Sequence, residues 1–312
     1  MRTLILFLAA LGFAGAAHAD QGSTAASFLL LDTSPRVIGM GGSFAGIADD
    51  VSDIEYNPAG SAYLTQKEFT IMDAVWIQGI DYGYSAFAWP ASIGTFSVDV
   101  FYLDAGTFQG ESLGPGNTAV ADGTFTAADM YATIAYSRKV LSIPGWGELS
   151  AGVSLKYLDE SIAEFSSSSE ALGLSGFYRT PIPGLNVGLA LSNIGPSEDG
   201  FALPFNARLG VGYQPTDNIS VDMDYLQYTN TAGIWSVGGE YGYRILVFRM
   251  GYKYQGAVDY NDTEESYGPA VASGLNLGLG VKLFQNYSMD YSYSPYGFLG
   301  ASNDISFSMK FN

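Results

Sequence analysis

Ile219-Ser220-Val221-Asp222-Met223-Asp224-Tyr225 places apolar side chains at every odd position and Ser, Asp and Asp at the even ones. Successive side chains of an extended chain point to opposite faces, so this segment has one greasy face and one polar face. Met289-Asp290-Tyr291-Ser292-Tyr293-Ser294 and Ile305-Ser306-Phe307-Ser308-Met309-Lys310-Phe311 repeat the pattern. A soluble β-sandwich also alternates. Segments of about ten residues with Tyr and Phe near their ends, however, suit a tilted membrane strand better than the usual five or six residues of a soluble one.

Working outward, the same periodicity predicts strands over 67–76, 81–89, 94–103, 129–139, 147–158, 171–179, 185–194, 205–214, 218–228, 233–242, 245–255, 272–283, 287–295 and 302–311. That makes about 14, an even number, as a single-chain bacterial barrel with both ends in the periplasm requires. The connections give an independent check, because such barrels have short periplasmic turns and long outer loops. Even-numbered connections are short: Pro90 to Ile93, Leu141 to Trp146, Thr180 to Gly184, Pro215 to Asp217, a turn near Tyr243, and Phe284 to Asn286. Odd-numbered ones are mostly long, such as Asp104 to Ala128, Asp159 to Glu170, Gly195 to Pro204 and Gly256 to Val271; only that around Ile77 to Ile80 is not. The fold class expected is all-β: a transmembrane antiparallel β-barrel with a small N-terminal plug, divided as 1–19 signal peptide, 20–66 plug and 67–312 barrel.

The start of the chain sets the compartment. Met1-Arg2, an apolar run from Leu4 to Phe13 and Ala17-His18-Ala19 form a cleavable export signal, giving a mature chain from Asp20 in the bacterial outer membrane. The run is too short to span a bilayer as a helix. Cleavage removes His18, the only histidine, and there is no cysteine. Imidazole and thiolate metal sites and Ser-His-Asp or Cys-His chemistry are thereby excluded, so neither a catalytic residue, nor a cofactor, nor a metal is expected. With 13 Lys and Arg against 31 Asp and Glu, the net charge of −18 repels phosphate backbones and excludes nucleic acid as a partner. Charged residues are 14% of the chain, against about 25% in soluble domains. The acidic stretch Asn261-Asp262-Thr263-Glu264-Glu265 reads first as a solvated loop and second as a divalent-cation contact with the outer leaflet, whose lipids and lipopolysaccharide are the expected surroundings.

Residues 20–66 do not alternate. They contain Arg36, Gly39-Met40-Gly41-Gly42, Asp49-Asp50 and Tyr56-Asn57-Pro58-Ala59-Gly60. Asn57 reads as an N-cap with Pro58 at the first helical position, opening a short helix over Ala59 to Leu64. The glycines allow close backbone packing, as a compact plug needs. A phosphate loop is the rival reading, but no Lys-Ser/Thr follows. Arg36, Asp49 and Asp50 are candidates for a charge cluster holding the plug.

In these residues the chain resembles the PorV/PorQ group of the FadL superfamily of outer-membrane proteins. An Arg, a Gly-Met-Gly-Gly run, an Ala-Asp-Asp and a Tyr/Trp-Asn-Pro-Ala-Gly cluster open the mature chain of that group. Phe307, Met309 and Phe311 are similar to the C-terminal signal read by the barrel assembly machinery, although Asn312, not an aromatic, is last. The resemblance implies a 14-stranded barrel with an inward-folded hatch. Two functions remain open: passage of small hydrophobic molecules, or an accessory role in a secretion system with its components as partners.

Overall fold

In the computed structural model, the residues described are 24–198, 200–229, 233–255, 274–284 and 286–312. The export signal and the acidic stretch 261–265 lie outside them. The strands are β1 (Lys67–Val75), β2 (Asp81–Ala91), β3 (Gly94–Leu113), β4 (Ala119–Ile143), β5 (Gly147–Ile162), β6 (Phe165–Arg179) and β7 (Leu185–Ile194). They continue as β8 (Asn206–Thr216), β9 (Ile219–Tyr228), β10 (Ile234–Tyr243), β11 (Leu246–Gln255), β12 (Leu275–Leu283), β13 (Tyr287–Pro295) and β14 (Ala301–Phe311). Each pairs antiparallel with its neighbours, and β1 pairs with β14 from Lys67↔Phe311 to Val75↔Asn303, which closes a barrel of 14 strands. No helix among the described residues is long and apolar enough to cross a membrane. The chain crosses with strands.

Alternation sorts the two faces opposite to a soluble protein. In β9, Asp222 and Asp224 are 0% exposed, whereas Val221 and Met223 are 44% and 49% exposed. The greasy face points outward into lipid because the inward face meets polypeptide and polar groups. Exposed aromatics form two belts on the outer wall: Trp89, Phe96, Tyr213 and Tyr287 toward the short turns, and Tyr102, Tyr157, Trp235 and Tyr293 toward the loops. Tyr and Trp rings sit at such levels because one end is apolar and the other wet. In the last strand, Phe307 faces outward, and Phe311 stacks on Phe87 at 6.1 Å beside Lys67 at the β1 seam.

One sequence expectation is corrected here. Residues 104–128 are not an irregular loop: β3 and β4 stay paired out to Leu113↔Ala119, and Gly114 N–H donates to Thr118 O at the tip. β2 reaches only Asp104 and β5 reaches only Ala127. Residues 107–126 therefore form a two-stranded ribbon whose edges, beyond Thr126 O accepting the Ala163 N–H, are free of backbone pairing among the described residues, and it rises roughly 25 Å past the rim at 3.3 Å per residue. β5 and β6 likewise extend to Ile162↔Phe165, within the stretch 159–170 read as a loop.

Candidate functional site

The segment before β1 lies inside the barrel and runs its full height. Thr24 bridges Ala202 at the loop end, and Lys67 begins β1 at the turn end. Between them are short helices over Pro35–Gly39 and Asp53–Tyr56 and 3₁₀ turns over Ser27–Leu30 and Pro58–Tyr63.

The segment sits against the β7–β12 side backbone to backbone. Gly188, Gly210, Gly212, Gly238, Gly251 and Gly278 face inward there, and a Cβ on any of them would fall within overlap distance of segment atoms or strand side chains. Segment glycines answer them: a Cβ on Gly39 would lie 2.8 Å from Gly278 Cα, and one on Gly41 2.7 Å from Tyr252 N. Gly41 also has φ +71°, a left-handed conformation costly for other residues. Met40 is 0% exposed in this contact.

Where the segment has free N–H groups, the wall supplies carboxylates. Phe44 and Ala45 N–H donate to Asp224 Oδ2 at 3.1 and 3.2 Å, and Gly46 N–H donates to Asp222 Oδ2 at 3.3 Å. Arg208 Nη1 donates to Asp224 and to Gly42 O, joining segment to wall. Arg36 donates to Asp49 at 2.7 Å, to Asp50 at 2.6 Å and, with Nε and Nη2, to both oxygens of Glu240 at 3.0 Å. Glu240 also accepts from Arg249, which reaches Asp290. Lys253 pairs with Asp32, and Lys156 with Glu55. Of the side chains paired here, only the segment residues Arg36, Asp49 and Asp50 stand out in the sequence; the wall partners do not.

Asn57 is 0% exposed and stands at the N-cap position of the turn over Pro58–Tyr63, but its side chain makes no capping hydrogen bond. The position is the one expected and the side-chain role is not: its Nδ2 donates across the segment to Ala45 O at 3.0 Å and to the wall at Gly176 O at 3.3 Å. Pro58 does open the following turn, which is 3₁₀ and not α. Ala59 N–H donates to Ser175 Oγ, and Gly60 packs on Ala48, where a Cβ has no room. Replacing Asn57 by Asp turns two donated hydrogen bonds into two oxygen–oxygen contacts. We expect docking of the segment to weaken by about 1–3 kcal/mol at neutral pH, with partial recovery in acid, when the carboxyl regains a donor. Hydrogen exchange at Ala45 to Ala59 checks this.

Within the segment, electrostatics divides by partner. Burial alone would raise the carboxyls of Asp32, Asp50 and Glu55, but Lys253, Arg36 and Lys156 respectively outweigh it, and all three end lower than usual. Asp53 has only Ser61 as side-chain donor among the described residues, and burial pushes it well above the usual range. A lowered carboxyl stabilises the folded form above its unfolded value and loses that contribution as pH falls through its folded value. Asp53 contributes with the opposite sign, its stabilisation fading as pH rises through its raised value. The segment should therefore hold best in mild acid and release below about pH 4, readable as new protease cleavage within residues 35–66.

The β2–β5 side of the lumen differs in chemistry. Tyr82, Phe101, Leu103, Tyr131 and Leu158 face inward and are buried. Phe101 and Tyr131 lie parallel, 4.9 Å apart with 3° between planes, and Phe28 of the segment stacks on both at 6.0 and 6.2 Å. Tyr63, at the turn end, lies under Arg179 at 3.5 Å and Lys139 at 4.6 Å. A cavity of about 40 Å³ remains beside Asp32, Tyr56 and Arg208, and a cleft of about 360 Å³ opens at the turn end beside Arg36, Glu68, Glu240 and Lys310.

A closed 14-stranded barrel with a lipid-facing apolar wall and an N-terminal segment docked in its lumen is a plugged transmembrane barrel of the outer-membrane type. The profile of an uncharacterised protein family, UPF0164, matches residues 9–161. Among curated proteins, none matches the chain in sequence. The chain is similar in structure to a deltaS2S3 mutant of the TodX monoaromatic hydrocarbon channel, with a TM-score of 0.61, 13% identity, and coverage of 90% of this chain and 99% of that one. It is also similar to the toluene transporter TodX of P. putida, with a TM-score of 0.56, 10% identity, and coverage of 88% and 97%. At these identities the likeness is one of fold.

Proposed function

We propose that the barrel passes small hydrophobic molecules across the outer membrane along the aromatic side of its lumen. The carrying observation is the inward patch of Tyr82, Phe101 and Tyr131. A water-filled barrel lines its interior with polar groups, whereas here flat apolar faces are turned inward and covered by one ring, Phe28. A molecule of similar shape would take the place of that ring. The loop end then faces outward and the turn end faces the periplasm. The names borne by the TodX channels, for monoaromatic hydrocarbon and toluene, fit this reading.

Burying a flat apolar ring is worth about 1.5–3 kcal/mol. Phe101→Glu places a carboxylate in that patch, so uptake of labelled toluene by cells carrying the variant should fall about tenfold or more at sub-saturating concentration. Equal uptake by wild type and variant, with equal amounts of folded barrel, would remove the proposal.

A second reading, an accessory barrel of a secretion system of the PorV kind, draws on the ribbon 107–126. Its free edges and its Phe108–Phe125 stack at 5.4 Å offer a surface on which a partner strand can add. Deleting 107–126 separates the two readings: loss of secretion with unchanged toluene uptake selects the accessory role.

A further inference from the structure

The loop between β7 and β8 carries one side chain that its surroundings do not explain. Residues 194–197, 200 and 201 are exposed, yet Glu198 is turned inward and only 4% exposed. Both its carboxylate oxygens are buried without a hydrogen-bond partner among the described residues. An exposed loop could leave a glutamate in water at no cost. Turning it inward against nothing is unfavourable unless a cation or proton accompanies it.

The wall at the same rim carries a second carboxylate. Asp129, on the inward face of β4, lies close enough for the Glu198 charge to act on it, and it too lacks a basic partner among the described residues. Directly across the ladder from Asp129 is Glu160, which accepts the Ala26 N–H at 3.2 Å. The loop is tied to the same place: Glu198 and Phe201 exchange two backbone hydrogen bonds of 2.8 Å, and Ala25 N–H donates to Ala202 O. Negative charge thus accumulates where the N-terminal segment enters the lumen.

We propose that Glu198 and Asp129 hold a hard divalent cation of the Ca²⁺ class at the loop end. The ion would fasten the β7–β8 loop, and with it the segment hydrogen-bonded to Ala202, onto β4. Oxygen-only ligands select such an ion over a transition metal. No three His, Cys, Asp or Glu side chains among the described residues form a metal-holding group, so water and main-chain carbonyls complete the shell. That is the make-up of a weak extracellular site, with a dissociation constant of about 10⁻⁴–10⁻³ M.

The test uses the full barrel refolded without lipopolysaccharide in a zwitterionic detergent, titrated with CaCl₂ by calorimetry and followed by thermal unfolding. We expect Ca²⁺ to bind and to raise the unfolding temperature of the wild type. Glu198→Gln should weaken binding by about tenfold or more and remove the Ca²⁺-dependent rise, yet be no less stable than wild type in EDTA, since a buried unpaired charge has gone. Asp217→Asn, in a turn at the opposite end, should behave as wild type. Should Glu198→Gln fail to fold, Asp129→Asn serves the same purpose. Equal Ca²⁺ binding by wild type and variant overturns the proposal. So does an infrared band of a protonated carboxyl that survives saturating Ca²⁺ and vanishes in Glu198→Gln, which would mean that a proton occupies the place.

Discussion

Replacing Gly251 by valine expels the N-terminal segment and leaves an open pore. Gly251 faces inward from β11, between Gly238 on β10 and Asn276 on β12. A Cβ there would coincide with the backbone of Met40 and Gly41. No flexible side-chain tip can yield, because the colliding atoms belong to the main chain of a segment also held at Phe44, Ala45 and Gly46. Overpacking costs about 1–3 kcal/mol where neighbours can shift, and here the shift must move a whole stretch of backbone. The ladder β10–β11–β12 uses main-chain groups only, so the barrel itself stays closed. The expected result is a variant that keeps its heat-modifiable gel mobility, shows raised single-channel conductance and is cut by protease within 35–66. Conductance equal to wild type would mean that the segment has another place to sit.

Arg36→Met should have the next largest effect. Among the described residues, the guanidinium is the one cation shared by Asp49, Asp50 and Glu240. Removing one partner of a buried ion pair costs about 3–5 kcal/mol, mostly through the charge left behind. Asp49, whose side chain is 35% exposed, escapes much of that cost to solvent, and Glu240 keeps Arg249 at 2.6 Å. The cost then falls mainly on Asp50, and we expect about 3 kcal/mol of lost docking stability. Adding Asp50→Asn should return part of it, with a coupling of about 0.5–3 kcal/mol. Arg36→Lys should rescue poorly, since one ammonium cannot reproduce the fork on Glu240 while reaching Asp50. Urea-dependent protease sensitivity of residues 36–60 measures all three. Additive single and double effects would show that Asp50 and Arg36 act independently.

The strands were legible because lipid enforces strict alternation: Val221 and Met223 must be apolar, and Ser220, Asp222 and Asp224 need not be. That demand ends at the membrane surface. Gly106 to Leu113 has no apolar period, so the ribbon looked like a loop, although backbone pairing alone sustains it. The plug motif was visible because Gly39-Met40-Gly41-Gly42 and Asn57-Pro58 fit no alternating pattern. Its receptors on the wall were not. An inward Asp224 looks in sequence like any solvated lumen carboxylate, and it becomes an anchor only through the N–H of Phe44, 180 positions away. Inward Gly188 and Gly238 likewise look like small strand residues until Ala45 and Met40 are laid against them. Asn57 fits N-cap statistics, but its amide is committed to Ala45 and Gly176, which a local reading cannot see.

The inner segment reaches from Ala202 at one mouth to Lys67 at the other, and Lys67 belongs to the strand that meets Phe311 at the seam. Such a chain is a needle already in its eye. The ring cannot be sewn shut first and filled afterwards unless a free end is drawn through it lengthwise. A sheet that curls around the segment before the C-terminal strand closes the seam on β1 needs no such threading.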